Sequence, residues 1–236
     1  MRGFLKRFRL ALVSLLAGGG ALFLVTAALP GTSPDPEGIK PVVVAWMHLV
    51  LNSDCGPDYR FSTQKPPPDV VERSLREIKR LWGRLWVDCQ QKQNLLEPLN
   101  NPEFVNNDQF QPLGGTILKL RWDNITVKGN TADVTVTSTA RFGGFVKDGP
   151  RPGLFISEGT QTEHYEMVYD RGWKIKHWTV VSGAGEAEPI WSVTLPREDL
   201  ADPAKIKPAF EQARQLLAVP SEIRVQLKPE LVGPYL

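Results

Sequence analysis

The sequence predicts an α+β domain in which helices come first and an antiparallel sheet follows. Three observations predict it. A long amphipathic helical pattern lies between residues 69 and 96, alternation of apolar and polar residues begins at Thr116, and the strand patterns then follow one another along the chain. Strands that succeed each other without an intervening helix pair as hairpins, so the sheet is expected to be antiparallel.

Residues 1–30 are predicted to be a targeting segment that precedes this domain. Four cations stand before an uncharged hydrophobic run at 10–29, "LALVSLLAGGGALFLVTAAL". Such a charge distribution keeps the N-terminus inside and sends the remainder out. The run is long enough to be an uncleaved transmembrane anchor, whereas the small residues Ala27 and Ala28 suit a cleaved signal peptide, and both alternatives stay open. Either way the body of the protein is expected to be extracytoplasmic, membrane-anchored or secreted.

The charge of the exported part argues against nucleic acid as a partner. The chain has 28 Lys and Arg residues against 26 Asp and Glu residues, and the leader holds four of the cations and none of the acids. The remainder therefore carries 24 basic and 26 acidic residues, a net charge of −2. A domain that binds nucleic acid through its phosphates is expected to be basic instead.

The first helix is predicted at residues 42–52, after a Pro-rich linker at 31–40. The segment "VVVAWMHLVLN" is apolar on all sides and long enough for a buried helix, although its three consecutive valines leave a strand as the alternative. His48 lies in this segment near Val44 and Leu51. We interpret it as a core histidine and not as a catalytic one.

The second helix is predicted from residue 69 to about residue 96. Asp69 is placed to cap it, with Glu72 three residues later as in a capping box. One apolar stripe recurs at helical spacing, formed by Val71, Leu75, Ile78, Trp82, Leu85 and Cys89. The opposite face is basic, and we expect it to be a solvated face, with binding to a membrane surface or an acidic partner as the alternative.

The strands fall between residues 116 and 181. The turn "KGN" separates "TILKLRWDNITV" from "TADVTVTSTARFGGFV", and the later strands "LFISEGTQTEHYEMVYD" and "WKIKHWTVV" meet at a second turn, Arg171-Gly172. The α+β domain is therefore assigned to residues 41–184. Residues 185–236 are predicted to be a C-terminal extension with one short helix, capped by Asp202, in which "PIWSVTLP" is one more strand or an extended arm. Its Pro-rich end is a candidate for docking on a partner or a neighbouring subunit.

This order of elements resembles the nuclear-transport-factor-2-like superfamily, SnoaL-like proteins in particular. The matching features are "DNITVKGNTADVTVTSTARF" and "TEHYEMVYDRGWKIKHWTVVS". The resemblance implies a cone-like domain in which a curved antiparallel sheet wraps around a long helix and leaves a pocket. The superfamily hosts enzymes, transport factors and assembly modules, so it assigns no single activity. The aspartate base and tyrosine of its isomerases find no inward-facing match here, since Asp133 has the outward parity of its strand and Asp123 lies near a strand end.

The hairpin at 164–181 carries the only candidates for catalysis. A two-residue turn at Arg171-Gly172 places Glu166 opposite His177, which gives an acid–base pair in which each group shifts the pKa of the other. The same register places Val168 opposite Ile175, and these two residues with Trp173 are the candidate lining of a ligand pocket. A glutamate opposite a histidine is, however, an ordinary favourable pair on a half-exposed sheet face, and a three-residue turn would separate the two residues. The other face of the hairpin has at least as good a claim to be the buried one, with Tyr165, Met167, Tyr169, Trp178 and Val180. We therefore interpret the hairpin as architecture.

Two functions of different classes follow from these observations. The first is a non-catalytic binding or assembly module of the cell envelope, with a protein partner or a second copy of the chain. The alternative is a small-molecule-binding protein or enzyme that uses the cone pocket with Glu166 and His177. No cofactor is expected, and no metal is expected because no His/Cys cluster has ligand spacing.

The two cysteines, Cys55 and Cys89, are predicted to form a disulfide in an oxidising compartment, with two buried free thiols as the alternative. In the chain-entropy model its reduction lowers the free energy of unfolding by roughly 3–4 kcal/mol. Chemical denaturation with and without reductant measures this, and a double Cys55→Ser, Cys89→Ser variant, which reductant cannot affect, is the control. Alkylation of both thiols in unfolded, unreduced protein would contradict the prediction.

Overall fold

The computed structural model describes residues 34–52, 59–62, 66–100, 110–147, 152–183, 187–200 and 202–235. Its helices are α1 (Ile39–Asn52), α2 (Pro68–Leu85), α3 (Gln90–Leu96), α4 (Pro203–Leu216), α5 (Ser221–Arg224) and α6 (Pro229–Val232). Its strands are β1 (Phe110–Lys128), β2 (Thr131–Val146), β3 (Gly153–Tyr169), β4 (Trp173–Ser182) and β5 (Ala187–Thr194). The predicted leader and Cys55 lie outside the described residues. Within those residues, none of the helices combines the length and the apolar character that crossing a bilayer requires.

Helix α1 confirms the first predicted helix and begins three residues earlier, at Ile39. The Asp35 carboxylate caps the short 3₁₀ turn in front of it by accepting the Glu37 N–H at 2.9 Å. A helix that is apolar on all sides must be buried on all sides. Ten of its 14 residues are accordingly buried, which makes α1 the central helix of the domain.

Helix α2 begins at Pro68, so Pro67 and not Asp69 stands at its N-cap. Asp69 lies in the first turn, where its carboxylate is 3.1 Å from the Arg73 guanidinium. The apolar stripe is confirmed, because all its members from Val71 to Leu85 are buried.

The prediction of one helix from 69 to 96 is wrong beyond Leu85. Trp86 leaves the helix in an extended conformation and forms a parallel bridge with Ile175 of β4. The N–H of Val87 donates to the Ile175 carbonyl at 3.0 Å, and a separate helix, α3, starts at Gln90. Pairing with the sheet edge therefore overrides the helical periodicity, and Cys89 stands half-buried at the N-cap of α3 instead of on the buried stripe.

The basic face of α2 is partly paired with acids of the same helix, whereas Lys79 donates to the Asn100 side chain and Arg84 to the Glu230 carbonyl. Arg73 and Arg76 lie 3.1 and 3.4 Å from Asp69 and Glu72, and Arg80 forms a salt bridge with Glu77. These pairs are exposed, and such pairs contribute little to stability. They nevertheless neutralise three of its cations, which favours the solvated interpretation over an attraction to anionic surfaces.

The sheet is antiparallel and curved, with strand order β1-β2-β3-β4, and β5 pairs with the first half of β3. The predicted "KGN" turn is confirmed, with Lys128 opposite Thr131 and Gly129 at φ +60°. Three register shifts interrupt the pairing of β1 with β2, and such bulges bend a sheet.

Both faces of the sheet are covered, but at different ends. The inner face carries Val134, Val136, Tyr165 and Met167, all buried against α1 and α2. The strand alternation puts the outer face on the even residues of β3. Helix α4 covers the outer face along the first half of β3 and forms a second hydrophobic core there. The buried residues of this core are Leu113, Phe145, Leu154, Ile156, Leu195, Ile206, Phe210, Ala213 and Leu217. The second half of the outer face, near the β3–β4 turn, has no such cover among the described residues.

In the described residues the C-terminal extension holds strand β5, one of the two alternatives for its first segment, and three α-helices where the sequence predicted one. Asp202 caps α4 as predicted, accepting the Ala204 N–H at 2.9 Å. Beyond α4 the chain returns to the inner core and contributes four buried side chains, Ile223, Leu227, Val232 and Tyr235. The segment is therefore part of the folded core and not an extended arm.

Two isoleucines provide a matched test of this arrangement. Ile78 of α2 is fully buried, whereas Ile190 of β5 is 46% exposed. Replacing Ile78 with Ala removes packed atoms from the inner core and is expected to lower the free energy of unfolding by about 2–5 kcal/mol. Ile190→Ala is expected to cost less than about 1 kcal/mol. Equal losses in denaturant titrations of the two variants would contradict the assignment of the core.

Candidate functional site

The β3–β4 turn has three residues, Asp170 to Gly172, and the predicted two-residue turn is wrong. Tyr169 is opposite Trp173, and the N–H of Asp170 donates to the Gly172 carbonyl at 2.9 Å. Arg171 at φ +56° and Gly172 at φ +150° provide the reversal. The longer turn places Val168 opposite Lys174 instead of Ile175.

Glu166 is nevertheless opposite His177, as predicted, because a bulge at Lys176 restores the register. This pair lies on the outer face, where the Glu166 side chain is 46% exposed and 3.8 Å from the Lys176 ammonium. His177 is exposed as well. The same face carries His164, whose Nε2 lies 3.7 Å from an Asp133 carboxylate oxygen. Solvent, and not an enclosed pocket, therefore surrounds the candidate acid–base pair.

The three candidate pocket residues do not line one pocket. Trp173 and Ile175 are buried in the inner core, and the Trp173 indole N–H donates to the Asp35 carbonyl at 2.9 Å. Val168 is half-buried and has the outward parity of β3. Trp173 and Ile175 thus pack together in the core, whereas Val168 lies on the opposite face of the sheet.

A buried carboxylate that the sequence reasoning missed lies on the inner face, at Glu163. Glu163 is only 2% exposed, and three uncharged groups donate hydrogen bonds to its carboxylate. The Trp178 indole N–H donates to Oε2 at 2.7 Å, the Tyr165 hydroxyl donates to the same oxygen, and the Gln161 amide donates to Oε1. Both carboxylate oxygens are therefore engaged, and none of these partners is a cation.

Burial and charge shift the titration of this cluster. Burial raises the pKa of Glu163, and the hydrogen bonds from Tyr165, Trp178 and Gln161 only partly oppose the rise. Burial, followed by the charge of Glu163, raises the pKa of Tyr165 well above its usual value. A carboxyl group with a raised pKa beside a tyrosine hydroxyl has the chemical character of a proton donor or acceptor.

Access to this carboxylate is closed by aromatic side chains. Trp46 of α1 lies at the centre, with its ring centroid 5.1 Å from those of Trp82 and Trp86 and 5.6 Å from that of Trp178, all edge to face. The indole N–H groups of Trp46, Trp82 and Trp86 are buried without a hydrogen-bond acceptor. The space between α1 and the sheet is thus filled by the protein's own rings.

His48 is a buried core histidine, as predicted. Its Nε2 donates to the Tyr235 carbonyl, and its Nδ1 lies 3.4 Å from the Asn52 amide nitrogen. Burial lowers its pKa to about 4. The neutral imidazole therefore joins α1 to the C-terminus of the described chain.

Three further features of the described residues bear on possible sites: an open groove, the absence of a metal cluster and the Cys89 thiol. An open groove of about 470 Å³ lies outside the core, along α2 and α3, and is lined mainly by Lys79, Gln90, Gln93, Asn94 and Asn100. In the described ranges no group of three His, Cys, Asp or Glu side chains is arranged to hold a metal ion. The Cys89 sulfur lies 3.5 Å from the Lys176 carbonyl oxygen, and its pairing with Cys55 stays a prediction.

Glu163 was detectable from the alternation of its strand. In "TEHYEMVY" the residues Glu163, Tyr165 and Met167 point to the same face of the strand, and Tyr165 and Met167 are large, mainly apolar side chains. The sequence already offered that face as the buried one, and extending it by two residues to Glu163 places a carboxylate in the core.

Comparison with known proteins does not assign a family. No protein-family model and no curated protein matches the chain. A solved structure that matches the chain distantly is the crystal structure of the intermembrane-space region of the chloroplast protein ARC6. It is 20% identical, with a TM-score of 0.42, and the match covers 64% of this chain and 100% of that one.

The raised pKa of Glu163 makes a pH-dependent prediction. A group whose pKa is raised on folding stabilises the fold below its unfolded pKa of 4.5, and that contribution is lost as the pH rises through the folded pKa. The stability of Glu163→Gln relative to the wild type is therefore expected to increase as the pH rises above 4.5.

Denaturant titrations between pH 4 and pH 8 measure this difference. The same substitution at Glu166, which is nearly half exposed, controls for the loss of a carboxylate. A relative stability of Glu163→Gln that stayed level or fell across this range would contradict the prediction.

Proposed function

We propose that this protein is a non-catalytic, extracytoplasmic binding or assembly module of the cell envelope, membrane-anchored or exported through residues 10–29. The proposal includes a cone-like domain of the nuclear-transport-factor-2-like superfamily, SnoaL-like in type, whose curved sheet wraps α1. The observation that carries it is the filling of the inner face by Trp46 and its neighbours, which occupy the space that a cone-shaped enzyme uses for substrate.

The sheet edge formed by β4 and β5 supports a binding role. Both strands pair with β3 on one side, and among the described residues neither has a strand partner on the other side, apart from the Trp86 bridge to Ile175. Val181 on β4 is 62% exposed and Ile190 on β5 is 46% exposed. An unpaired strand edge with exposed apolar side chains is the kind of surface on which a strand of a partner protein adds to a sheet.

The β4 half of this edge is partly closed by the chain itself. The Gln91 side chain donates to the Trp178 carbonyl at 2.7 Å and accepts the Trp178 N–H at 3.1 Å, as a neighbouring strand would. This cover ends before Val181, so the proposed binding edge runs from Val181 through β5.

A small-molecule-binding protein or enzyme is the second candidate function. The observation that favours it is the buried Glu163 beside the Tyr165 hydroxyl, on the face where a cone pocket would lie. The predicted pair of Glu166 and His177 supports it less, because the pair reaches solvent. Binding of a small molecule there requires Trp178 or Gln161 to move away from Glu163.

Cross-linking of the full chain in envelope membranes tests the primary proposal. A photo-cross-linking residue replaces Ile190 on the edge, and one at Val225, which is 82% exposed in the tail, is the control. A defined adduct with one envelope protein, or with a second copy of the chain, is expected from position 190 and not from position 225.

His177→Gln separates the two candidate functions. The substitution is expected to leave the adduct unchanged, because the outer-face histidine has no part in edge binding. Absence of any adduct from position 190, together with a monomeric chain, would contradict the binding proposal. Loss of a turnover or ligand-binding activity in His177→Gln would favour the enzyme instead.

A further inference from the structure

The last described segment of the chain lies across α1 as a short strap, residues 228–235. It contains one turn of helix, α6, followed by a 3₁₀ turn that begins at Gly233, whose φ is +54°. Two of its side chains, Val232 and Tyr235, are buried in the inner core between α1 and α2. A helix of one turn has little stability of its own, so these contacts hold the strap in place.

Two side chains bind the backbone of the strap. The Arg84 guanidinium donates to the Glu230 carbonyl at 3.2 Å, in an exposed contact. The His48 imidazole donates from Nε2 to the Tyr235 carbonyl, in a contact that is almost fully buried, since His48 is 1% exposed. A titratable donor is therefore among the contacts that hold the buried end of the strap.

The surroundings of His48 accommodate only its neutral form. With Nε2–H donating to Tyr235, Nδ1 is the unprotonated nitrogen, and it faces the Asn52 amide nitrogen at 3.4 Å. That amide is fixed as a donor, because it also donates to the His48 and Gly115 carbonyls at 2.8 and 2.9 Å. A proton on Nδ1 would bring two donors together in a buried site.

The charged and titratable neighbours oppose protonation as well. Arg60, from the segment 59–62, donates at 2.7 Å to the Asn52 side-chain oxygen, and its guanidinium lies 5.5 Å from the centre of the Tyr235 ring. Tyr235 is the titratable residue of the strap at this site. Helix α1 and strand β1 contribute the amide of Asn52 and the backbone of Gly115. No carboxylate of the described residues is in hydrogen-bond contact with the imidazole.

Independently of what the protein binds, we propose that residues 228–235 form a latch that is docked while His48 is neutral and released when this imidazole is protonated. Release uncovers the apolar groove between α1 and α2 that Val232 and Tyr235 fill, and leaves the sheet intact. The latch makes one surface of the domain more available in acidic surroundings than at neutral pH.

The size of the effect follows from linkage. The docked state holds the pKa of His48 at about 4, against 6.5 for an imidazole in water, so acid favours the released state. Docking is at full strength above pH 6.5 and weakens as the pH falls from there towards 4. Between pH 7.5 and pH 5 the docking equilibrium is expected to weaken about 30-fold.

Hydrogen exchange of the full chain at these two pH values tests the latch, with each rate corrected for the intrinsic rate. The reporters are the N–H groups of Leu231 and Val232, which donate to the Lys228 carbonyl, and the references are amides of the β2–β3 ladder. Protection of the reporters is expected to fall about 30-fold at pH 5, while protection of the references is expected to hold. Equal changes in the two sets would overturn the proposal.

Two glutamine variants assign the effect to its residue. His48→Gln keeps a donor for the Tyr235 carbonyl but cannot titrate, so its reporters are expected to show no pH response. His177→Gln, on the exposed outer face, is expected to respond as the wild type does. A pH response that survives in His48→Gln would overturn the proposal, and the wild-type comparison of reporters with references decides the matter even if this variant does not fold.

Discussion

The packing of Trp46 is the contact on which the rest of this structure depends. Its ring meets those of Trp82, Trp86 and Trp178, and so joins α1 to α2, to the extended segment that follows α2, and to strand β4. Each edge-to-face pair of this kind contributes about 0.5–1.5 kcal/mol beyond the burial of its area. Since ten of the 14 residues of α1 are buried, these ring contacts link the central helix of the domain to three of the segments packed around it.

The same cluster decides what chemistry the fold permits. Glu163 is buried beside a tyrosine, as an acid–base residue would be, but both of its carboxylate oxygens accept hydrogen bonds from uncharged donors. The aromatic rings around it are in contact with one another. Glu166 and His177 have the reverse properties, being accessible and unenclosed. Catalysis needs both conditions at one place. Their separation onto opposite faces of β3 is the physical reason for favouring a binding module, and it makes the unpaired edge of β4 and β5 the surface of interest.

The sequence predicted the features that local periodicity determines and missed those that depend on partners distant in the chain. The buried helix at α1, the stripe of α2 and the "KGN" turn follow from apolar density, helical spacing and turn residues, all of which are local in the chain, and all were found. The end of α2 at Leu85 depends on a bridge from Trp86 to Ile175, almost 90 residues away, which no periodicity contains. The bulge at Lys176, which keeps Glu166 opposite His177 despite the longer turn, is likewise a property of the assembled sheet. The return of the C-terminal segment to the core was hidden because its proline-interrupted pattern is typical of an extended tail.

The central claim is that the inner face is a closed core and not a ligand pocket. The most direct measurement is the exchange of the seven indole N–H protons with solvent, resolved by NMR in the full chain. If the core is closed, the indole protons of Trp46, Trp82 and Trp86 exchange only when the protein opens, and much more slowly than that of the half-buried Trp191. Exchange of the Trp46 proton as fast as that of Trp191 would show that solvent reaches the inner face, and would contradict the account.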